Sequence, residues 1–499
     1  MKILSAEQTK ALDAYTISNE PVSSIDLMER ASASFVEWFI LQFTRDQPVL
    51  LFCGTGNNGG DGLAIARMLH EKKYKVDVFI VTYSPNPSAD FTTNYERLKP
   101  LVPIKSIHTP ADIPLLTENN LLIDAIFGSG LNRSAEGIAA AVIDALNKSK
   151  AIIVAVDIPS GLYVDTYSDS PHIVEADYTL SFQLPKLSFL LPQNFKYVGE
   201  WHLTEIGLHP EGIQQAQTNY DFVDEALINK LIKKRGKYDH KGSFGHALLI
   251  AGSYGKMGAA QLTVKACLAT GVGLLTCYVP RCGYEIMQIA VPEAMTLTDP
   301  DEKVISEIPA LEKFTTLGIG PGLGTEEATV KAMNTLLREY RSPVVIDADG
   351  LNILAKDKEL LNQLPAGSIL TPHPKEFERL AGETTNDYQR LEVLQKFAKE
   401  HQVVVVLKGA HSAIATPSGE VYFNSTGNPG MATGGTGDVL TGIITSLLAQ
   451  KYTPEEAAIV GVYFHGLAGD YAAEDNGFNA LTASHIISYL PQAFIQYNL

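Results

Sequence analysis

The chain is short of most features that would commit it to a membrane, a metal cluster or a nucleic acid. Its 499 residues hold only four cysteines, Cys53, Cys267, Cys277 and Cys282, with no CxxC pair and no zinc-ligand spacing. That excludes a disulfide scaffold and a structural zinc module. Cys53, Cys267 and Cys277 lie among apolar residues and read as buried thiols, which suits a reducing compartment. No apolar run approaches the roughly 18 residues of a membrane span. The stretch from Met1 to Asp13 carries Lys2, Glu7, Lys10 and Asp13 where a signal peptide would be apolar. The expectation is a cytoplasmic protein with no membrane association. Positive charge is also scarce: the net charge is −17, spread along the chain, so the field offers nucleic acid no attraction. The one basic run, Lys233 to Lys237, reads as a solvated segment or a local phosphate contact. A Walker loop, with its lysine followed by serine or threonine, is absent, which disfavours a P-loop enzyme.

What is present is a long globular chain, 45% hydrophobic, with material for two to three domains. Its focus is the Gly-rich stretch Asn424 to Asp438, after which Val439, Leu440, Ile443, Ile444, Leu447 and Leu448 repeat at helical spacing. A Gly-rich turn opening a helix aims unpaired N–H groups at one point and adds the helix dipole. Such a point favours an anion, and Gly434, Gly435 and Gly437 clear side chains from its approach. Asp438 reads either as the N-cap of this helix or as a carboxylate facing that anion.

Residues 6 to 43 carry helical periodicity. Strands and helices then alternate: Pro48 to Cys53, Lys75 to Tyr83, Leu121 to Phe127 and Ala151 to Asp157 are apolar strands, with helices at Leu63 to Glu71 and Ala139 to Leu146. This pattern predicts a parallel, doubly wound sheet whose ligands bind at the carboxyl ends of strands. Three such ends are polar: Gly54 to Gly62, Asp124 to Gly130, and Asp157-Ile-Pro-Ser-Gly161. The GxGxxG at 54 to 59 is a weak dinucleotide signal, because Tyr83 and Ser84 stand where an acidic residue would bind a ribose. A hydride-transfer dehydrogenase is therefore disfavoured. Aspartates, asparagines and Ser160 converging on one crevice suit a cation beside a polar ligand.

These pieces, over roughly residues 5 to 215, resemble the YjeF N-terminal family, the NAD(P)H-hydrate epimerases. The resemblance rests on Leu27-Met-Glu-Arg-Ala31, Asn57-Asn-Gly-Gly-Asp-Gly62, Asp124 with its Gly-Ser-Gly turn, and Val156 to Gly161. It implies that Asn57, Asn58, Gly59, Gly60 and Asp61, with Gly128, Ser129, Gly130, Leu131, Asn132, Arg133 and Ser134, hold the hydrated dinucleotide. It implies also that Asn58, Asp124 and Ser160 ligate potassium and that Asp157 meets the substrate near the reacting carbon. Asp157 is the best-placed carboxylate here for acid–base work.

A polar, aperiodic stretch from Gln214 to Asn219 places a domain boundary near residue 220, dividing the chain into 1–220 and 221–499. Beyond it, strands are expected at Ala247 to Ala251, Leu274 to Val279, Thr316 to Gly320, Val344 to Ala348, Ser368 to Leu370 and Val403 to Leu407. Helices at 326–339 and 391–399 lie among them. Polar motifs close several strands: Gly320-Pro-Gly-Leu-Gly324, Asp347-Ala-Asp-Gly-Leu-Asn352, Thr371-Pro-His-Pro-Lys-Glu-Phe377 and Lys408-Gly-Ala-His-Ser412. His373 reads as a ligand contact or as a plain loop residue. Lys408 ends an apolar strand, where a lysine without an anion would be costly, so it reads as a nucleotide-phosphate contact.

Residues 225 to 499 resemble the ribokinase-like superfamily and, within it, the YjeF C-terminal family of NAD(P)H-hydrate dehydratases. His240 to Gly245, Ala251 to Ser253 and Gly258 to Ala260 add to the motifs above in carrying this narrower match. The fold implied is an α/β/α sandwich following the Rossmann-like first domain. By the same resemblance Lys408, Gly409, Ala410, His411 and Ser412, with Gly434, Gly435, Thr436 and Gly437, hold ADP or ATP with Mg2+, while Ala260, Gly322 and His373 contact the substrate. Asp438 then takes the proton of the hydrate's ring hydroxyl, which attacks the terminal phosphoryl group. N–H groups of the loop stabilise that transfer, and the phosphate ester leaves. Together the halves imply repair of NADHX and NADPHX with K+, and a homo-oligomer by family analogy. The competing readings are a small-molecule kinase sharing the catalytic loop, and a first half that binds ligand without catalysis.

Overall fold

The computed structural model describes residues 1–499, which divide into two compact units, Met1–Thr218 and Asn219–Leu499. The first unit carries β1 (Val49–Cys53), β2 (Val76–Val81), β3 (Ile104–Ile107), β4 (Leu121–Ala125), β5 (Ile152–Val156), β6 (Tyr178–Phe182) and β7 (Glu200–Thr204). They form one sheet in the order β3-β2-β1-β4-β5-β6-β7, every pairing parallel. The strand order reverses direction between β1 and β4, which opens a crevice at their carboxyl ends.

Both faces of this sheet are covered, so the strands read as unbroken apolar runs. Along β1, Val49, Leu51 and Cys53 join Phe35, Phe39, Leu63 and Leu69 of the helices Ser24–Gln42 and Asn57–Glu71. Leu50 and Phe52 point the other way, onto Val142, Ile143 and Leu146 of the helix Gly137–Lys148. This two-residue alternation fixes the register, since a one-residue slip would exchange the two cores. The expected strands fall where the spacing placed them. The helix after β1 does not: it begins at Asn57, six residues before the expected Leu63, so the Asn-Asn-Gly-Gly-Asp-Gly segment is helix and not loop.

The second unit carries β8 (Tyr220–Phe222), β9 (His246–Ile250), β10 (Leu274–Val279), β11 (Met295–Thr298), β12 (Thr316–Ile319), β13 (Val344–Ile346), β14 (Ile369–Leu370), β15 (Val404–Leu407), β16 (Ala413–Ala415) and β17 (Val421–Phe423). The sheet runs β11-β10-β9-β12-β13-β14-β15-β16-β17-β8. It is parallel from β11 to β15 and again between β17 and β8, and antiparallel at β15–β16 and β16–β17. Its switch point lies between β9 and β12, and the polar strand ends of the sequence gather on that side.

The helix Thr436–Ala449 packs closely against the helix Met257–Ala269. Contact at this closeness depends on Gly442, where a Cβ would lie 2.2 Å from the Thr263 carbonyl oxygen and 3.0 Å from the Ala266 Cβ. Alanine gains about 1 kcal/mol over glycine in helix propensity, yet here it must push the two helices apart. Gly442→Ala is expected to lower the second unit's stability by about 1–3 kcal/mol net, read as a lower urea midpoint. A midpoint at or above the wild-type value would show that the helices separate at no cost.

All four cysteines are free, and Cys53, Cys267 and Cys277 are buried. No helix is long and apolar enough to cross a membrane.

Candidate active sites

In the first unit the polar strand ends converge as the topology requires. Asp124, the fourth residue of β4, is fully buried. One carboxylate oxygen accepts from the Ser160 hydroxyl at 2.6 Å and from the Ile126 N–H at 3.2 Å; the other accepts from the Ser160 N–H at 2.7 Å. Burial pushes its pKa up to about 6, and the Ser160 and Ile126 hydrogen bonds oppose that rise. Asn58 donates its side-chain amide to the Phe127 carbonyl at 3.0 Å. Asn58 and Ser160 thus meet at the backbone of Phe127, with Asp124 held to Ser160, which gathers carboxylate, hydroxyl and amide groups in one place. Such a donor set suits a hard cation.

The glycines of Asn57 to Asp61 have a packing reason as well as a ligand-binding one. A Cβ on Gly59 would sit 1.9 Å from the Gly54 carbonyl oxygen. The helix start is therefore pressed against the end of β1, with Gly56 as an N-cap that offers no side-chain bond. Its first N–H groups stay free for a ligand. Gly128 faces Asn58, a Cβ there lying 3.1 Å from the Asn58 Cβ. Through Ser129, Gly130, Leu131, Asn132 and Arg133 the loop runs at the surface, and Ser134 stands 3.5 Å from the Tyr163 hydroxyl.

Asp157 follows β5 with φ +67°, a left-handed conformation that few non-glycine residues adopt. Strain of this kind collects at functional sites. Its Oδ1 accepts from the Lys186 ammonium at 2.5 Å, and from the Ser181 hydroxyl and the Phe182 N–H at 3.2 Å each. Lys186 is 5% exposed. This buried partner escaped sequence reading because it lies 29 residues along the chain with no motif around it. Asp61 carries a carboxyl that burial, then the charges of Asp157, Asp13 and Asp90, push well above the usual range.

In the second unit the Gly-rich turn closes on the helix Thr436–Ala449, whose N-cap is Gly435 in the left-handed region at φ +93°. Asp438 is therefore not the cap, a correction to the plainer of its two readings: it lies inside the first turn. Its carboxylate makes no hydrogen bond and is free for a ligand. Burial raises its pKa to about 6; Asp347 and Asp349 add to the rise and Lys408 opposes it.

Beside the nucleotide phosphate expected of it, Lys408 has an anion within the protein. Its ammonium donates to Asp347 Oδ1 at 2.9 Å, and Glu376 Oε2 lies 3.9 Å away. Asp347, 1% exposed, accepts a further bond from the Thr441 hydroxyl at 2.8 Å. A Cβ on Gly437 would lie 3.3 Å from the Lys408 nitrogen and 3.5 Å from Asp347 Oδ2. The ion pair thus sits directly under the anion-binding turn, visible through the one residue that lacks a side chain. Asp347, Glu376 and Thr441 drew no role from sequence, although the first two stand in quoted motifs. Ala348, between Asp347 and Asp349, has φ +49°.

His373 is more than a loop residue. It caps the helix Pro374–Ala381: its Nδ1 accepts from the Lys375 and Glu376 N–H groups at 3.1 and 3.3 Å, and Glu376 Oε2 accepts from its own N–H at 2.8 Å. Gly322, at φ +62°, packs over Lys256 and Ala259, with its carbonyl held by the Ser253 hydroxyl at 2.7 Å. Ala260, one residue on, is fully buried. Gly409 to Ser412 form the turn between β15 and β16, where Ser412 Oγ accepts from the Gly409 N–H and the His411 Nδ1 meets the Asn424 carbonyl at 3.0 Å. Ala410 and Gly409 are exposed there.

Comparison with known proteins agrees with both halves. Residues 247–492 match the family model described as NAD(P)H-hydrate dehydratase, and residues 24–188 match that of the YjeF-related protein N-terminus. A bifunctional NAD(P)H-hydrate repair enzyme of Moorella thermoacetica is 38% identical over 98% of this chain and 96% of its own length. One from Escherichia coli is 32% identical over 88% of this chain and 84% of its own. Among solved structures, the ADP/ATP-dependent NAD(P)H-hydrate dehydratase of Bacillus subtilis, co-crystallized with ATP/Mg2+, matches with a TM-score of 0.50 and 32% identity, over 56% of this chain and all of that one. A ribokinase-like superfamily protein of Enterococcus faecalis matches at 26% identity with the same TM-score. The expected fold, a doubly wound first half and a ribokinase-like second half, is borne out. With relatives aligned along nearly its whole length and both family models in the same order, the chain belongs to the bifunctional NAD(P)H-hydrate repair enzymes.

Proposed function

We propose that the two sites divide the family's repair reaction between them, epimerisation of R and S NAD(P)HX in residues 1–218 and nucleotide-dependent dehydration of the S epimer in residues 219–499. The observation that carries the second assignment is the Asp438 carboxylate, half-buried, unpartnered and set in the first turn of the helix that follows the anion-binding turn. As general base it takes the proton of the C6 hydroxyl as that oxygen attacks the terminal phosphoryl group of the nucleotide. The N–H groups of Gly435, Thr436 and Gly437 and the Lys408 ammonium beneath them stabilise the charge on the transferring group. Expulsion of the new phosphate ester restores the dihydronicotinamide ring. Gly322 and His373 line the substrate side, Lys408 to Ser412 and Gly434 to Gly437 the nucleotide side, and ADP is the preferred donor in this reading.

Asp347 and Glu376, whose carboxylates lie 2.9 and 3.9 Å from the Lys408 ammonium, have the chemistry to hold Mg2+. Bound there, the ion would neutralise charge on the nucleotide phosphates.

In the first unit Asn58, Asp124 and Ser160 would hold K+, which fits their side-chain oxygens and the fully enclosed Asp124 carboxyl. The cation would supply a fixed positive charge beside the dinucleotide phosphates, which Asn57 to Asp61 and Gly128 to Ser134 bind. Asp157, held by Lys186, serves as an acid–base group at the reacting carbon. We place the protein in the cytoplasm, consistent with four free cysteines, and expect it to self-associate.

The test is recovery of dihydronicotinamide absorbance from a mixture of both NADH-hydrate epimers, with ADP and ATP in parallel. Complete recovery with one donor, with one inorganic phosphate released per ring restored, is the expected result. A stable phosphorylated product in place of free phosphate would overturn it in favour of a kinase.

A further inference from the structure

Near Asp157 in the epimerase site stand two further carboxyls, Asp61 and Asp13. Inversion at C6 exchanges a hydroxyl between the two faces of the ring. The carbon bears no acidic hydrogen that could be removed and returned, but it is bonded to the ring nitrogen, whose lone pair can expel the hydroxyl. That expulsion requires a proton donor on one face, and the return of water requires a proton acceptor on the other. Two groups are needed, with environments that hold one protonated while the other is not.

Resting on the epimerase reading, we propose that Asp13 is the second acid–base residue of this site, placed across the substrate ring from Asp157. Asp13 lies on the helix Ala6–Asn19, four residues after Thr9 and three before Thr16, and so on their face. That face packs against the segment carrying Lys186: Thr9 and Leu12 line a small cavity with Phe182, Gln183, Leu184, Pro185, Lys186 and Leu208. The Thr16 hydroxyl accepts from the His209 N–H at 3.0 Å, which anchors the helix there. The Asp13 carboxyl itself makes no hydrogen bond or ion pair, unlike Asp157, whose Oδ1 takes three.

The charged groups around Asp13 are Asp157, Asp61 and Lys186. Burial raises the Asp13 pKa to about 6; Asp157 raises it further and Lys186 opposes. Asp157 is paired with the Lys186 ammonium, whereas the Asp13 carboxyl has no such partner and faces the like charges of Asp157 and Asp61.

In the forward direction the C6–O bond breaks as Asp13 gives its proton to the leaving oxygen. Water departs, and the nitrogen lone pair forms a C6=N double bond. A water molecule on the opposite face then adds to C6 and gives its proton to Asp157. The reverse epimerisation exchanges the roles, and the proton returns between the two carboxyls through solvent. No oxidant, reductant or second substrate enters.

The experiment uses the full-length chain with purified R- or S-NADHX in water enriched in oxygen-18, following epimer ratio and label together, above the uncatalysed interconversion. The wild type should gain one solvent oxygen at C6 for each inversion. Asp13→Asn should slow inversion by at least 100-fold, with substrate binding and dehydration of S-NADHX unchanged. Asp13→Glu should restore part of the rate. The wild-type rate should also fall as pH rises through about 6, a limb missing from the residual rate of Asp13→Asn. Inversion by Asp13→Asn within threefold of wild type would overturn the proposal, as would wild-type inversion that retains the original oxygen. Wild-type protein that inverts neither epimer would instead overturn the epimerase reading beneath it.

Discussion

Asp438→Asn is expected to reduce nucleotide-dependent dehydration by about 10²–10⁴-fold, the range typical for loss of a general base. Nucleotide and substrate should bind about as before, because the N–H groups of the turn and the Lys408–Asp347 pair are untouched by the change. Asparagine keeps the volume and one oxygen but cannot accept the hydroxyl proton. The wild-type enzyme should show the same requirement as a pH limb. Burial and the neighbouring Asp347 lift the Asp438 carboxyl to about 6, and only its ionised form is a base. Activity should therefore fall about tenfold per unit below pH 6, and that limb should be absent from the residual rate of the variant. Turnover by Asp438→Asn near the wild-type rate would remove Asp438 from its role.

The second large effect is expected at Asp157. Asp157→Asn should lower catalysed epimerisation by about 10²–10⁴-fold while dehydration of the S epimer proceeds at the wild-type rate. In the absorbance assay with both epimers, recovery would then stop once the S form is consumed, and continue only at the uncatalysed rate. Asparagine is the right probe because position 157 sits at φ +67°, a conformation asparagine adopts more readily than alanine. It also retains an oxygen for the Ser181 hydroxyl and the Phe182 N–H, so the strand end should keep its shape. Full recovery at the normal rate would mean that the first unit's chemistry lies elsewhere.

The alternation of apolar strands and helices made both sheets legible, because parallel strands buried on two faces are apolar throughout. The motifs at their carboxyl ends were legible for the same reason, as polar residues where the pattern breaks. What sequence could not show was backbone conformation and long-range pairing. Asn57 to Gly62 reads as loop since glycine and asparagine are poor helix formers; it is helix because Gly59 lets it close against Gly54. Asp438 reads as a cap until Gly435 is seen to occupy that position in the left-handed region. Lys408 reads as a phosphate contact alone because Asp347, which it also meets, is 61 residues away. The helix Pro454–Asn476 went unread since it is buried nearly all round, and a helix without a polar face has no stripe to detect.

The short strand β8 has a consequence for how the second unit reaches its final state. Tyr220–Phe222, at the very start of that unit, pairs with Val421–Phe423 near its far end, and is locked on both flanks by Val421 N–H to the Asn219 carbonyl and Val223 N–H to the Phe423 carbonyl. During synthesis this segment emerges long before its partner and waits as a lone β-forming stretch until almost the whole unit has followed. Such non-local pairing is slow to form. Until it does, β17 presents an open sheet edge, the kind of surface that recruits strands from other chains. A chain beginning at Val223 would keep every catalytic side chain of the dehydratase yet carry that open edge permanently, so its weakness would appear as aggregation before it appeared as lost chemistry.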